Sequence, residues 1–265
     1  MSALRNEPVG TWLRRIALPR PDAGIELICF PHAGGSAPYF AQLARCIDPM
    51  IEPLAVQYPG RQDRRDEEMP ASIEQLAVGV GAELPAAVGN REFALYGHSM
   101  GAVVAFEVCR RLAGTGLVPR VLFVSGRRSP LSTRTENIHR YSEDDLAREL
   151  RRAADNPPTW LRDPELRSLL LPVVRADFRA VESYVYQEGP PIECPIVAMI
   201  GNNDPYVDTE EAKAWSACTS REFELHTFPG KHFFLESNAS VVGGLLTAKT
   251  ISQLDEIDSF VDRES

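Results

Sequence analysis

"LYGHSMGAVVAFE", Leu95 to Glu107, sets one serine between two glycines at the end of an apolar run. The residues "EFALYG" (92–97) read as a strand, and "MGAVVAFEVCRRLA" (100–113) reads as a helix with a basic end. A G-x-S-x-G pattern at a strand-to-helix junction is the context of a nucleophile elbow. The turn there is tight, so Gly97 and Gly101 stand where larger side chains would collide. The Ser99 hydroxyl then projects over the positive end of the helix dipole. A glycine-containing loop with an incidental serine is the other reading, and the rest of the chain decides between them.

Outward from this stretch, short apolar runs alternate with longer helix-like ones, the signature of a mostly parallel sheet flanked by helices. Strand candidates are 25–30, 52–58, 92–97, 120–126, 195–201 and 222–228, most of them continuous apolar runs as expected for strands covered on both faces. Helix candidates are 38–47, 72–88, 100–114, 209–218 and 239–262. Almost seventy residues separate the strands ending near 126 and starting near 195, far more than a crossover needs. Within them, "SEDDLARELRRA" (142–153) opens on a serine N-cap and an acidic first turn. In 163–187, Leu166, Leu170, Val174, Phe178, Val181 and Val185 share one helical stripe, which Pro172 is expected to divide or kink. The expectation is one α/β-hydrolase domain over 1–265 with a helical lid inserted at 127–190.

With 265 residues, 44% hydrophobic and 25% charged, the chain can bury one large core. The net charge of −9 argues against a general nucleic-acid binder. No run approaches 18 apolar residues, and the opening "MSALRNEPVGTWLRR" lacks a secretory apolar core and cleavage site. Five scattered cysteines, with no C-x-x-C pair, read as small buried hydrophobes. These features point to a cytoplasmic protein off the membrane, and a monomer is expected.

A serine hydroxyl needs a base, and the base needs an orienting acid; on this fold the chain order is Ser, acid, His. Only His139, His226 and His232 follow Ser99. His139 lies in the insert and His226 within an alternating strand, whereas His232 of "FPGKHFFLES" follows the last strand in a glycine-containing loop. For the acid, Asp204 of "AMIGNNDPYVD" is nearer the strand end, while Asp208 is placed to cap the next helix. The oxyanion requires two backbone N–H donors, read as Met100 and Ala33, the latter from the small-residue loop of "CFPHAGGSAPYF" (29–40). Neither G-x-G-x-x-G nor a Walker lysine is present to make that loop a phosphate cradle.

Taken together, "FPHAGGSA", "YPGRQDR", "YGHSMGA", "LPVVRADFRAVESY", "GNNDP" and "FPGKHFF" resemble the type II thioesterases, the standalone editing enzymes of polyketide and nonribosomal peptide assembly lines. The resemblance runs from about residue 25 to 260. It implies hydrolysis of stalled or aberrant acyl groups from the phosphopantetheine arm of acyl or peptidyl carrier proteins through an acyl-enzyme on Ser99. No metal or redox cofactor is implied. Phe40, Trp160, Phe178 and Tyr184 are candidates to line an acyl chamber, and core packing is an open reading for each. "RRSPLSTRTENIHR" (127–140) carries four arginines against one glutamate and "GRQDRR" (60–65) three more. Arg127 and Arg128 are therefore candidates to steer an acidic carrier, with a solvated arginine-rich loop the competing reading. A small-molecule carboxylesterase or lipase is the rival enzyme reading, and a non-catalytic carrier-binding scaffold the rival from another class.

Overall fold

The computed structural model describes residues 7–132 and 134–261, with side chains to 252. Two short strands, β1 (Glu7–Pro8) and β2 (Leu13–Arg15), precede β3 (Ile25–Phe30). A 3₁₀ turn then leads into α1 (Ala41–Ala44), β4 (Ile51–Val56), α2 (Ile73–Val88), β5 (Glu92–His98), α3 (Met100–Leu112) and β6 (Leu122–Ser125). After β6 come α4 (Glu143–Ala153) and α5 (Pro164–Glu182), and then β7 (Ile196–Gly201), α6 (Thr209–Lys213), β8 (Phe223–Phe228) and α7 (Leu235–Val261). The eight strands lie in the order β1-β2-β4-β3-β5-β6-β7-β8, parallel from β4 to β8 and antiparallel at β1 and β2. This is the α/β-hydrolase fold expected from the sequence.

The apolar strand runs feed two cores. Along β3, Ile28 and Phe30 join the cluster under α2 and α3, while Ile25, Leu27 and Cys29 join the one under α1 and α7. Phe93 and Leu95 against Ala94 and Tyr96 repeat the alternation on β5, as do Ile196 and Ala198 against Val197 and Met199 on β7. Successive side chains of a strand point to opposite faces, so continuous apolar runs are what a sheet covered on both sides requires. The larger of these side chains, Ile, Leu, Phe, Val and Met, each contribute on the order of 1.5–3 kcal/mol when fully buried.

Local signals set the helix starts. Ser72 caps α2 through the Gln75 N–H, and Ser142 caps α4 through the Asp145 N–H. Asp163 caps α5 by accepting from the N–H groups of Glu165 and Leu166, with Pro164 at the first helical position. The expected division at Pro172 does not occur: α5 runs through it as one element. Pro172 is solvent-exposed, so the carbonyl deprived of its partner lies on the wet side of the helix. β1 and β2, absent from the sequence expectation, are only two and three residues long. In the last helix, Asn238 has non-helical dihedrals and marks a kink; position 262 of the expected range lies outside the described residues.

Candidate active site

The elbow is built by close approach. A Cβ on Gly101 would sit 2.0 Å from the Phe30 carbonyl oxygen, and one on Gly97 would sit 2.3 Å from the Gly101 oxygen. Real Cβ atoms never come so near backbone, so α3 reaches the ends of β3 and β5 only because both residues are glycine. Ser99 takes φ 55° and ψ −116°, a region that costs a non-glycine residue about 1–3 kcal/mol. Its N–H donates to the Ser125 carbonyl (2.7 Å) and its carbonyl accepts from Ala102 (3.0 Å), which hold the strained residue between β6 and α3.

Asp204 and His232 come from the loops after β7 and β8. A Cβ on Gly201 would stand 2.2 Å from the Lys231 carbonyl, so glycine there lets the two loops touch. The Asp204 carboxylate lies 2.9 Å from His232 Nδ1 and also accepts the Tyr206 N–H at 2.8 Å. Both side chains are buried, 3% exposed for His232 and fully enclosed for Asp204. With Nδ1 bonded to the carboxylate, the imidazole keeps its Nδ1 proton and leaves Nε2 free to take one. Tyr206 stands edge-on to the imidazole with ring centroids 4.7 Å apart, its hydroxyl pushed up in pKa by burial. Two further imidazoles lie close by and are held neutral, chiefly by burial: His32, pushed down to about 3, and His98, well below its ordinary value.

Ser99, Met100, Ala33, Phe178 and His232 line one cavity of about 30 Å³, room for roughly one or two waters. Helices α4 and α5 close it through Leu150, Ala153, Phe178 and Val181. Among the described residues, neither the Ala33 nor the Met100 N–H is taken by a protein acceptor. The His139 ring is hydrogen-bonded to Glu182 and the His226 ring to Glu224, and neither lines this cavity. Asp208 caps α6 through a reciprocal bond with Glu211.

Three residues expected at the chamber stand elsewhere. Phe40 is fully buried in the α1–α7 core on one face of the sheet. Trp160 packs on the small core of the inserted helices beside Leu150, Phe178 and Tyr206. Tyr184 donates to Glu107 (2.6 Å) and lines an outer groove. Arg128 is corrected as well: its side chain is 7% exposed and makes a bidentate pair with Glu136, so its charge is neutralised within the chain rather than offered to a carrier. Arg127 is half-buried and lines both the cavity that holds Ser99 and an outer groove.

The sequence reading missed how the inserted helices hold the loops bearing Ala33 and His232. Asp177 of α5 accepts the Gly34 N–H at 2.7 Å and a bidentate pair from Arg61 at 2.6 and 2.8 Å, with both side chains 5% exposed. Arg61 also donates to the Gly35 carbonyl (3.2 Å), fixing the loop that carries Ala33. On the other side, the Ala153 carbonyl accepts the His232 N–H (3.1 Å) and Asp155 accepts the Lys231 N–H (2.9 Å). Arg61 and Asp177 fall inside "YPGRQDR" and "LPVVRADF", but nothing in either segment indicates that they pair.

Comparison with known proteins follows the same geometry. The family profile of the thioesterase domain matches residues 25–249. The chain belongs to the thioesterase family. Thioesterase PikA5 of Streptomyces venezuelae is 39% identical over 87% of this chain and 82% of its own. Gramicidin S biosynthesis protein GrsT of Aneurinibacillus migulanus is 38% identical over 80% and 84%. The solved type II thioesterase BorB, from the borrelidin biosynthetic cluster, superposes with a TM-score of 0.83 at 41% identity, covering 90% of this chain and 97% of that one. As a member of the thioesterase family, the chain is a serine-type hydrolase acting on thioesters, and it is similar to type II thioesterases of polyketide and nonribosomal peptide pathways.

Proposed function

We propose that this thioesterase frees carrier proteins of stalled or aberrant acyl groups held on their phosphopantetheine arms. In this reading Ser99 is the nucleophile, His232 the base and Asp204 the acid that orients it. The observation that carries the reading is a buried imidazole, tied at Nδ1 to a carboxylate, in the same small cavity as a serine on a strained elbow. Ser99 Oγ adds to the thioester carbon as His232 Nε2 takes its proton. The C–S bond then breaks, the thiol leaves with that proton, and an acyl ester remains on Ser99. Water adds to the ester with His232 again as base, releasing the carboxylic acid and restoring the hydroxyl.

The N–H groups of Ala33 and Met100 serve as the oxyanion hole, and their freedom from protein acceptors supports that role. Each such donor contributes on the order of 3–4 kcal/mol to the transition state. The insertion at 127–190 acts as a lid on a single domain, which its closure of the cavity by α4 and α5 supports. Five free cysteines, four of them buried, accord with a reducing cytoplasm. The test is intact-mass spectrometry of the protein mixed with a panel of acylated carrier proteins, beside a Ser99→Ala control. A transient acyl adduct lost in the control, with carriers returned to free thiol, is expected. Unchanged turnover by Ser99→Ala refutes the triad; rapid cleavage of aryl esters with carriers left acylated favours an esterase.

A further inference from the structure

Arg127 stands apart from the other inward-turned arginines. Arg14, Arg61, Arg64 and Arg128 each meet a carboxylate, and Arg20 is bonded to four backbone carbonyls. Among the described residues the Arg127 guanidinium has neither a hydrogen bond nor an ion pair. The two carboxylates whose field reaches it are engaged elsewhere. Glu136 holds Arg128 with both oxygens, and Glu182 takes the N–H groups of Ile138 and His139 together with the His139 ring. Burial pushes the Arg127 pKa down to about 10, which leaves it cationic at neutral pH. A half-buried cation with no protein partner among the described residues, facing both a cavity and a groove, is free to donate a charge-assisted hydrogen bond to a ligand there.

Its position indicates which ligand. Arg127, Glu136 and Val181 line both the catalytic cavity and an outer groove of about 450 Å³, so they form the wall between the two. That volume lies within the range of small-molecule sites, roughly 300–1,000 Å³. Beyond this wall the lining of the small cavity is mainly apolar, with Ile138, Leu150, Phe178 and Phe233, whose side chains offer no partner to an amide. The open groove on the other side of the wall is the more polar of the two, lined also by Arg128, Arg134 and Glu182.

We propose that Arg127 is a specificity residue for the thiol half of the substrate, donating to the amide carbonyl nearest the sulfur of a pantetheine-type arm lying in the outer groove. This rests on the reading of Ser99 as nucleophile. The experiment compares two thioesters of one acyl group, one with pantetheine and one with a simple alkanethiol that has no amide. In Arg127→Met, the ratio of kcat/KM for the pantetheine thioester over the alkyl thioester falls roughly tenfold to a hundredfold, the effect of losing a hydrogen bond to a charged donor. A ratio unchanged within about twofold in a folded variant overturns the proposal, whether or not both rates drop together. If Arg127→Met does not fold, the same ratio measured on Arg127→Ala, which likewise removes the donor, decides on the same terms. A parallel Ser99→Ala sample separates the two claims, because turnover surviving in it sinks the nucleophile and not the arginine.

Discussion

Replacing Asp177 by alanine should cost stability out of proportion to the few atoms removed. The carboxylate and the Arg61 guanidinium are each only 5% exposed, so the substitution strands a buried cation and leaves the Gly34 N–H without its acceptor. Breaking a buried pair from one side costs about 3–5 kcal/mol. For a domain of this size each kcal/mol moves the melting midpoint by roughly 2–4 °C, so a fall on the order of 6–20 °C is expected. Asp177 does not line the cavity that holds Ser99 and His232, so the loss should appear in Tm rather than in the proton-transfer steps. Circular dichroism melts and urea titrations of parent, Asp177→Ala and the double variant Arg61→Met/Asp177→Leu provide the measurement. The double variant should recover most of the loss, because no unpaired charge remains. An Asp177→Ala protein within about 1 kcal/mol of the parent, or a double variant no better than the single, refutes this reasoning.

Asp204→Asn should keep the fold and lower kcat by up to about 10⁴-fold through the wrong imidazole tautomer, read with a soluble thioester; a loss below about tenfold would remove Asp204 from its role. Gly101→Ala drives a methyl into the Phe30 backbone and should destabilise by about 3 kcal/mol or more, measured by urea titration, with soluble expression equal to the parent as the contrary result. Glu26, buried on β3, is pushed up to about 7, mainly by desolvation and against the pull of Arg91. The folded state therefore holds a proton that the unfolded chain has lost between about pH 4.5 and 7, and stability falls as pH rises through that window. Glu26→Gln should flatten that slope and gain on the parent by on the order of 1–3 kcal/mol at pH 8; parallel pH profiles from urea titrations would refute it.

Sequence alone located the sheet, the elbow and the loops bearing Asp204 and His232, because glycine placement and apolar β runs are local signals. It could not say which layer a buried aromatic joins. Phe40 and Phe178 look alike in the chain, yet the first packs in the α1–α7 core and the second closes the cavity. Local charge counting failed for a related reason. The surplus of arginines at 127–140 suggests an outward patch, but Glu136 neutralises Arg128 from eight positions away and Arg127 is half-buried between the chamber and an outer groove. The Arg61–Asp177 pair spans 116 positions, a separation at which one chain without relatives carries no pairing information.

The contacts from Ala153, Asp155 and Asp177 to the loops bearing His232 and Ala33 bear on how this scaffold can be re-engineered. Grafting a foreign helical segment between β6 and β7 to change substrate range would exchange more than the chamber lining. The donor segment must supply a carboxylate in register with Arg61 and Gly34, and a carbonyl and an acceptor opposite residues 231 and 232. Chimeras matched at those points should retain turnover, while those chosen for pocket shape alone should lose it together with their thermal tolerance.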